Sequence, residues 1–296
     1  MKETFEILTD STFDLMPKQI DELNISVVPM SFQMEGVNYL HYHDFRQMSL
    51  DEFYTKLKKN NSVSTSQTTP HQFYEQFLPF AKEGKNFLYI SFSSGLSGTY
   101  DSSILALDQL RTEFPNVTMH AVDSLSASGG EGLVVYLACK MRKNGATLEE
   151  TKQWVEQKAS KHIVHWVSID NLTQLSRGGR INPVLASVGN LLHVKPILYV
   201  TENGTLDLKE KCRGNKAKYQ NAVDTLTQKW FPDEYSEIII FHANAKEDAL
   251  KLKTLLEEQE IVKQYQPHIM LSQIGPVIAS HTGQGAVCMA FYGTER

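Results

Sequence analysis

Between Ser93 and Tyr100 the chain reads Ser-Ser-Gly-Leu-Ser-Gly-Thr-Tyr, five hydroxyls and two glycines in eight residues with no lysine, arginine or acid among them. Such a loop can grip oxygen atoms by hydrogen bonds but has no charge with which to hold a phosphate. Gly95-Leu96-Ser97-Gly98-Thr99 also approaches the Gly-x-Ser-x-Gly nucleophile elbow, although Thr99 stands where the last glycine belongs and its β-carbon would crowd the strained turn. A serine hydrolase of acyl esters is therefore the alternative reading, with Ser97 as nucleophile, His281 as base and Asp123 or Asp10 orienting the histidine.

Other chemistry-bearing groups point less far. In Thr9-Asp10-Ser11-Thr12-Phe13-Asp14 the two acids are four apart and cannot both aim at one metal from a strand end, so one of these residues is expected to cap the next helix. His41-Tyr42-His43-Asp44 has the look of a ligand cluster, but nothing nearby completes the set, and a solvated loop is the preferred reading; no metal is expected. Gly283-Gln284-Gly285-Ala286-Val287-Cys288 precedes a strand instead of a helix and has cysteine where a dinucleotide fingerprint needs glycine. Three further hydroxyl-rich stretches, Ser62 to Thr69, Asp123 to Ser128 and Ser280 to Gly283, complete the polar loops. Where the strand ends they follow share one edge, their hydroxyls and His281 converge on a carboxylate or phosphate.

The elements that must position these loops alternate. Apolar runs at Phe5–Leu8, Val27–Met30, Phe87–Ile90 and Val117–Val122 are separated by helix-like tracts at Pro17–Leu23, Ser49–Lys58, Thr69–Phe80 and Ser102–Phe114. That order predicts βαβ units and a mostly parallel sheet with flanking helices. The serine loop then occupies a turn from strand to helix, where α/β proteins bind ligands. Helices are expected from Gly129–Gly130 to about Asn144 and from Thr147 to Ser160, then a strand at Ile163–Ile169, with a domain boundary near residue 160. The second half, 161–296, opens on Ser176-Arg177-Gly178-Gly179-Arg180. Its Asn203-Gly204 turn between Pro196–Val200 and Leu206–Leu208 predicts a hairpin, hence an α/β domain with antiparallel pairing.

The chain has 296 residues, 41% of them hydrophobic, enough for two ordinary domains. A net charge of -5 without a basic block gives no footprint for nucleic acid. Cys139, Cys212 and Cys288 lie far apart and suggest buried, reduced thiols. The start lacks the layout of a signal peptide, and no apolar run reaches the roughly 18 to 20 residues that cross a bilayer. A cytoplasmic, soluble protein without a transmembrane segment is expected, with room left for transient contact with a membrane surface.

Taken in order, Thr9-Asp10-Ser11-Thr12 with Asp14, Thr65-Ser66-Gln67, Ser93 to Tyr100, Asp123-Ser124, Gly178-Gly179-Arg180-Ile181, Lys195-Pro196-Ile197, Lys211-Cys212-Arg213-Gly214 and His281-Thr282-Gly283 resemble the DegV family of bacterial fatty-acid-binding proteins. Each piece is short, and their ordered combination from about residue 7 to about 288 is specific. The resemblance implies one long-chain fatty acid held between two α/β domains, 1–160 and 161–296, and presented by its carboxylate to a separate fatty-acid kinase that makes the acyl phosphate for phospholipid synthesis. On that reading the protein is a non-catalytic subunit without a cofactor, ATP and Mg belonging to the kinase partner. The resemblance implies that Thr65 and Ser97 donate to the carboxylate, that Ser93 and Ser94 lie beside it and that His281 closes that end. It places Arg180 near the interdomain opening and Arg213 on the surface that docks the kinase. Thr68 and Gln284 stand where the family often has proline, departures expected to loosen loops without removing ligands. The uncharged serine loop then has a reason: a carboxylate that must attack phosphorus would be held back by a tight ion pair.

Overall fold

The structure is a computed structural model, and it describes residues 4–59, 62–170, 172–182, 194–232 and 236–296. Four strands, β1 (Glu6–Asp10), β2 (Ser26–Val28), β6 (Phe87–Ser91) and β7 (Met119–Asp123), form a wholly parallel sheet in the order β2-β1-β6-β7. Every residue of β6 is buried, as expected of a strand covered on both faces. Its alternation divides two cores. Phe87 and Tyr89 meet Phe73, Phe77, Leu107 and Leu110 of the helices Pro70–Lys82 and Thr99–Glu113 on the outside, whereas Leu88 and Ile90 face the centre of the molecule.

The second sheet has six strands: β8 (Ile163–Ser168), β9 (Val194–Val200), β10 (Leu206–Arg213), β11 (Ile238–His242), β12 (Ile269–Gln273) and β13 (Val287–Tyr292). Their order is β10-β9-β8-β13-β11-β12, antiparallel except between β11 and β12. Val164 and Trp166 of β8 pack outward with the helices Gly214–Lys229 and Lys246–Glu257, while Ile163 and Val167 join the central core. The helix Gly129–Lys143 runs between the two sheets, buried at every position from Gly129 to Val135. A helix enclosed on all sides needs apolar residues all round, which Leu133, Val134 and Val135 supply, and the one acid in this stretch, Glu131, is buried against the Thr9 and Thr12 hydroxyls. The strands change sheet between β7 and β8, and one apolar core runs across the change.

Three departures from the sequence expectation have local causes. The run Val27–Met30 is broken at Pro29, which lacks a ladder N–H: β2 ends at Val28 and β3 (Met30–Met34) enters a separate antiparallel sheet, β4-β3-β5, with β4 (Val37–His41) and β5 (Val63–Ser66). Half of the polar stretch Ser62 to Thr69 is thus a strand, stabilised by pairing Thr65 with Phe32 and not by its own apolar content. The helix expected from Thr147 to Ser160 has a capping box at Thr147 and Glu150 but passes through a wider π turn at Val155–Ala159.

Candidate functional site

Between the two sheets lies a cavity. The first half supplies Met30, Phe92, Leu96 and Ala127 to its wall, and the second half supplies Val167, Ile169, Phe241 and Ile278. His165 and Val167 reach it from alternate positions along β8, and Ile169 follows just past the strand's end, the spacing that puts side chains on one face of a strand. The polar residues of this wall include Thr65, Ser97, Arg180 and His281.

Each of these is placed by a different local rule. Thr65 points inward because β5 alternates exposed Ser64 and Ser66 with partly buried Val63 and Thr65. Its Oγ1 lies 2.8 Å from His281 Nε2. His281 sits in the last turn of the helix Pro276–Thr282, which begins with proline at its first position. Burial and then the Arg180 guanidinium push the His281 pKa down to about 4, so the ring is neutral at pH 7. In the tautomer with Nε2–H donating to Thr65, the Thr65 hydroxyl proton is left for a third oxygen. Ser97 shares a hydrogen bond with Thr99 Oγ1 at 2.8 Å and accepts from Thr99 N, at the entry to the helix Thr99–Glu113. The positive end of that helix dipole favours an anion there.

Arg180 arrives from the Gly178-Gly179-Arg180 turn. A β-carbon on Gly178 would meet His281 Nδ1 at 2.5 Å, and Gly179 has φ +71°, so the first glycine gives room and the second gives the left-handed turn. The Arg180 side chain donates from Nε to the Leu96 carbonyl at 3.2 Å and from Nη1 to the Gly178 carbonyl. The serine loop itself is uncharged, but the fold brings this cation to its edge.

Ser93 and Ser94 stand elsewhere. The Ser93 hydroxyl is buried and donates to the Gly204 carbonyl at 2.8 Å, which fastens the loop to the β9–β10 hairpin. Ser94 is exposed, with its backbone N–H on the Asp123 carboxylate. Neither is among the residues that line the cavity. Arg213 is exposed at the end of β10, away from the cavity wall. The hydrolase arrangement is not formed: His281 bonds Thr65 and not Ser97. Asp10 is used up by Thr12, Tyr89 and Phe92, and Asp123 by Ser94 and Leu125. Asp10 does cap the short 3-10 turn Ser11–Phe13. His41 is buried and stacked on Phe45 while Asp44 pairs with Arg46. Among the described residues no group of three metal-ligating side chains converges.

Thr12, Ser128, His165 and Cys288 also line the cavity, and none of them was assigned to the site from the sequence, although Thr12, Ser128 and Cys288 stood in motifs quoted there. The alternation His165-Val167-Ile169 was a signal that could have found one of them. His165 donates from Nδ1 to the Ile163 carbonyl at 3.2 Å, and burial pushes its pKa down to about 3, so the ring is neutral as well.

Comparison with known proteins agrees with this geometry. Residues 4–294 match the profile of the DegV family, described as uncharacterised proteins. A DegV domain-containing protein of Clostridium perfringens is 35% identical over 292 residues, covering 99% of this chain and 98% of that protein. A DegV family protein from Thermus thermophilus, solved as a fatty-acid-binding protein, superposes with a TM-score of 0.82 at 28% identity over 98% of this chain and 99% of its own. The fold is shared too, with a TM-score of 0.82 at 22% identity over 98% and 99% of the two chains, by the Streptococcus pneumoniae Fatty Acid Kinase B3 protein loaded with linoleic acid. The chain belongs to the DegV family.

Proposed function

We infer that this protein carries one long-chain fatty acid in the cavity between its sheets and presents the carboxylate to a separate fatty-acid kinase. The observation that carries the reading is the wall itself: apolar over most of its area and closed at one part by the Thr65–His281 pair, Ser97 and Arg180. Burying an acyl tail contributes about 0.8 kcal/mol per methylene, so a long chain gains on the order of 10 kcal/mol before the entropy of binding is charged. A hydrogen bond from Thr65 or Ser97 to the carboxylate adds roughly 1.5 to 3 kcal/mol and fixes which end faces out. The tail sets affinity and the hydroxyls set polarity.

In the kinase reaction a carboxylate oxygen bonds to the γ-phosphorus of ATP as the bond to ADP breaks. ATP and Mg are supplied by the kinase, so the carrier needs no cofactor or nucleophile of its own. Neutral His281 orients Thr65 without competing for the carboxylate as a cation. Arg213, exposed at the end of β10, is the docking residue in this reading. The fatty-acid-binding relative from Thermus thermophilus and the fold shared with the Fatty Acid Kinase B3 protein support it.

Protein purified without added lipid, denatured and extracted into organic solvent, should release close to one long-chain fatty acid per chain by mass spectrometry. An empty protein that hydrolyses acyl esters and is labelled at Ser97 by a fluorophosphonate would sink the carrier reading and restore the hydrolase. With the kinase present, Arg213→Ala should lower acyl-phosphate formation and leave the extracted fatty acid unchanged.

A further inference from the structure

On the outer side of the polar part of the cavity wall lies a second, open depression that shares Thr65, Arg180 and His281 with it. Its remaining lining includes Ser64, Gln174 and Arg177, and no carboxylate lines it among the described residues. Arg177 ends the helix Thr173–Arg177 and is exposed. Among the described residues no acid pairs with it, whereas Arg46 and Arg111 each hold an aspartate. Arg177 does not line the cavity, so it does not serve the carboxylate. Arg180 stands at the junction of cavity and depression, close enough to depress the His281 pKa.

The geometry points to this depression as a phosphoryl subsite, in which Arg177 holds the phosphate of the acyl phosphate outside the carboxylate position, with Arg180 at the junction. The inference rests on the carrier reading. Once the carboxylate is phosphorylated, the head group gains negative charge and three acceptor oxygens beyond those that the Thr65 and Ser97 hydroxyls serve. Arg177 offers five N–H donors in a planar fork suited to those oxygens, and the exposed Ser64 hydroxyl adds another donor. The acid-free lining leaves the positive potential of the two arginines uncompensated where the new charge appears.

The test compares two ligands on one protein: palmitate and a hydrolysis-resistant palmitoyl phosphonate, each measured by displacement of a fluorescent fatty acid at fixed ionic strength. Arg177→Ala should weaken the phosphonate about fivefold, the scale of an exposed charge pair, while palmitate stays within about twofold. Arg177→Lys should recover part of the loss, and added salt should narrow the gap between wild type and Arg177→Ala. If wild type binds palmitate but Arg177→Ala affects both ligands equally, or neither, the phosphoryl subsite is wrong and the carrier reading stands. If wild type binds neither ligand, both fall together.

Discussion

A hydroxyl beside a neutral imidazole is the centre of the site at the level of single side chains. Thr65 is held by His281 Nε2 at 2.8 Å, and burial keeps that ring uncharged down to about pH 4. Thr65→Val should raise the dissociation constant for a long-chain fatty acid about tenfold, since it removes one hydrogen bond to a charged acceptor. Thr65→Ser should restore most of it, and competition with a fluorescent fatty acid reads both. An unchanged constant in Thr65→Val would move the carboxylate away from β5. Ser93 and Ser94 make the opposite point: their residue type was visible in the sequence, but the direction of each hydroxyl was not. A strand-to-helix loop sends successive side chains to different sides, and here one went to Gly204 and one to solvent.

Turns and helices decide whether those side chains meet. Gly178 packs against the His281 ring and Gly179 takes the left-handed conformation, so the pair places Arg180 and His281 together. Gly178→Ala should force the ring or the turn aside, weakening fatty-acid binding several-fold while the fold survives, because the added methyl acts on one turn only. Binding and thermal unfolding measured on the same sample separate the two effects; a wild-type affinity would show that the turn and the histidine move independently. The sequence made the elements themselves legible where the period was strong: the helices Leu50–Lys59 and Pro70–Lys82 and the Asn203-Gly204 hairpin are where their patterns put them. It hid β5, whose Val63-Ser64-Thr65-Ser66 has little apolar content and is a strand only because β3 supplies a partner.

Across the whole molecule, buried ionisable groups set how stability follows pH. Asp14 joins the halves: its carboxylate accepts from Ser128 Oγ and Gly275 N, and its carbonyl from Ser272 Oγ. Burial pushes its pKa up to about 8, against the two hydrogen bonds. Glu131 is raised by burial and by Asp10, and Asp10 by burial. The contacts agree, since the single proton of Thr9 Oγ1 cannot serve both the Ile90 carbonyl and Glu131 Oε1. The folded chain therefore keeps protons on these acids that the unfolded chain gives up above about pH 4, and their contribution to stability falls as pH rises. His281 and His242, with pKa values near 4, and His41 and His165, near 3, work the other way. The unfolded chain protonates them below about pH 6.5, so they raise stability as pH climbs to that point and add nothing beyond it. Stability should then decline from about pH 6.5 to pH 8, by up to roughly 1.4 kcal/mol per pH unit for Asp14 alone. Denaturant unfolding at a series of pH values checks this, and Asp14→Asn should flatten that limb; an equally steep limb in the variant would assign the loss to other groups.

By itself the sequence determined the alternation of strands and helices around the parallel sheet, the strand-to-helix position of the serine loop and, through ordered short motifs, the family. Those features are encoded locally, in periods of two and 3.6 and in turn residues. Only the tertiary structure decided that a helix between two sheets would leave a cavity there. It also brought Thr65, Ser97, Arg180 and His281, from four separate segments, to one part of that cavity's wall. Side-chain direction and long-range approach depend on packing between distant elements, and no local pattern records them.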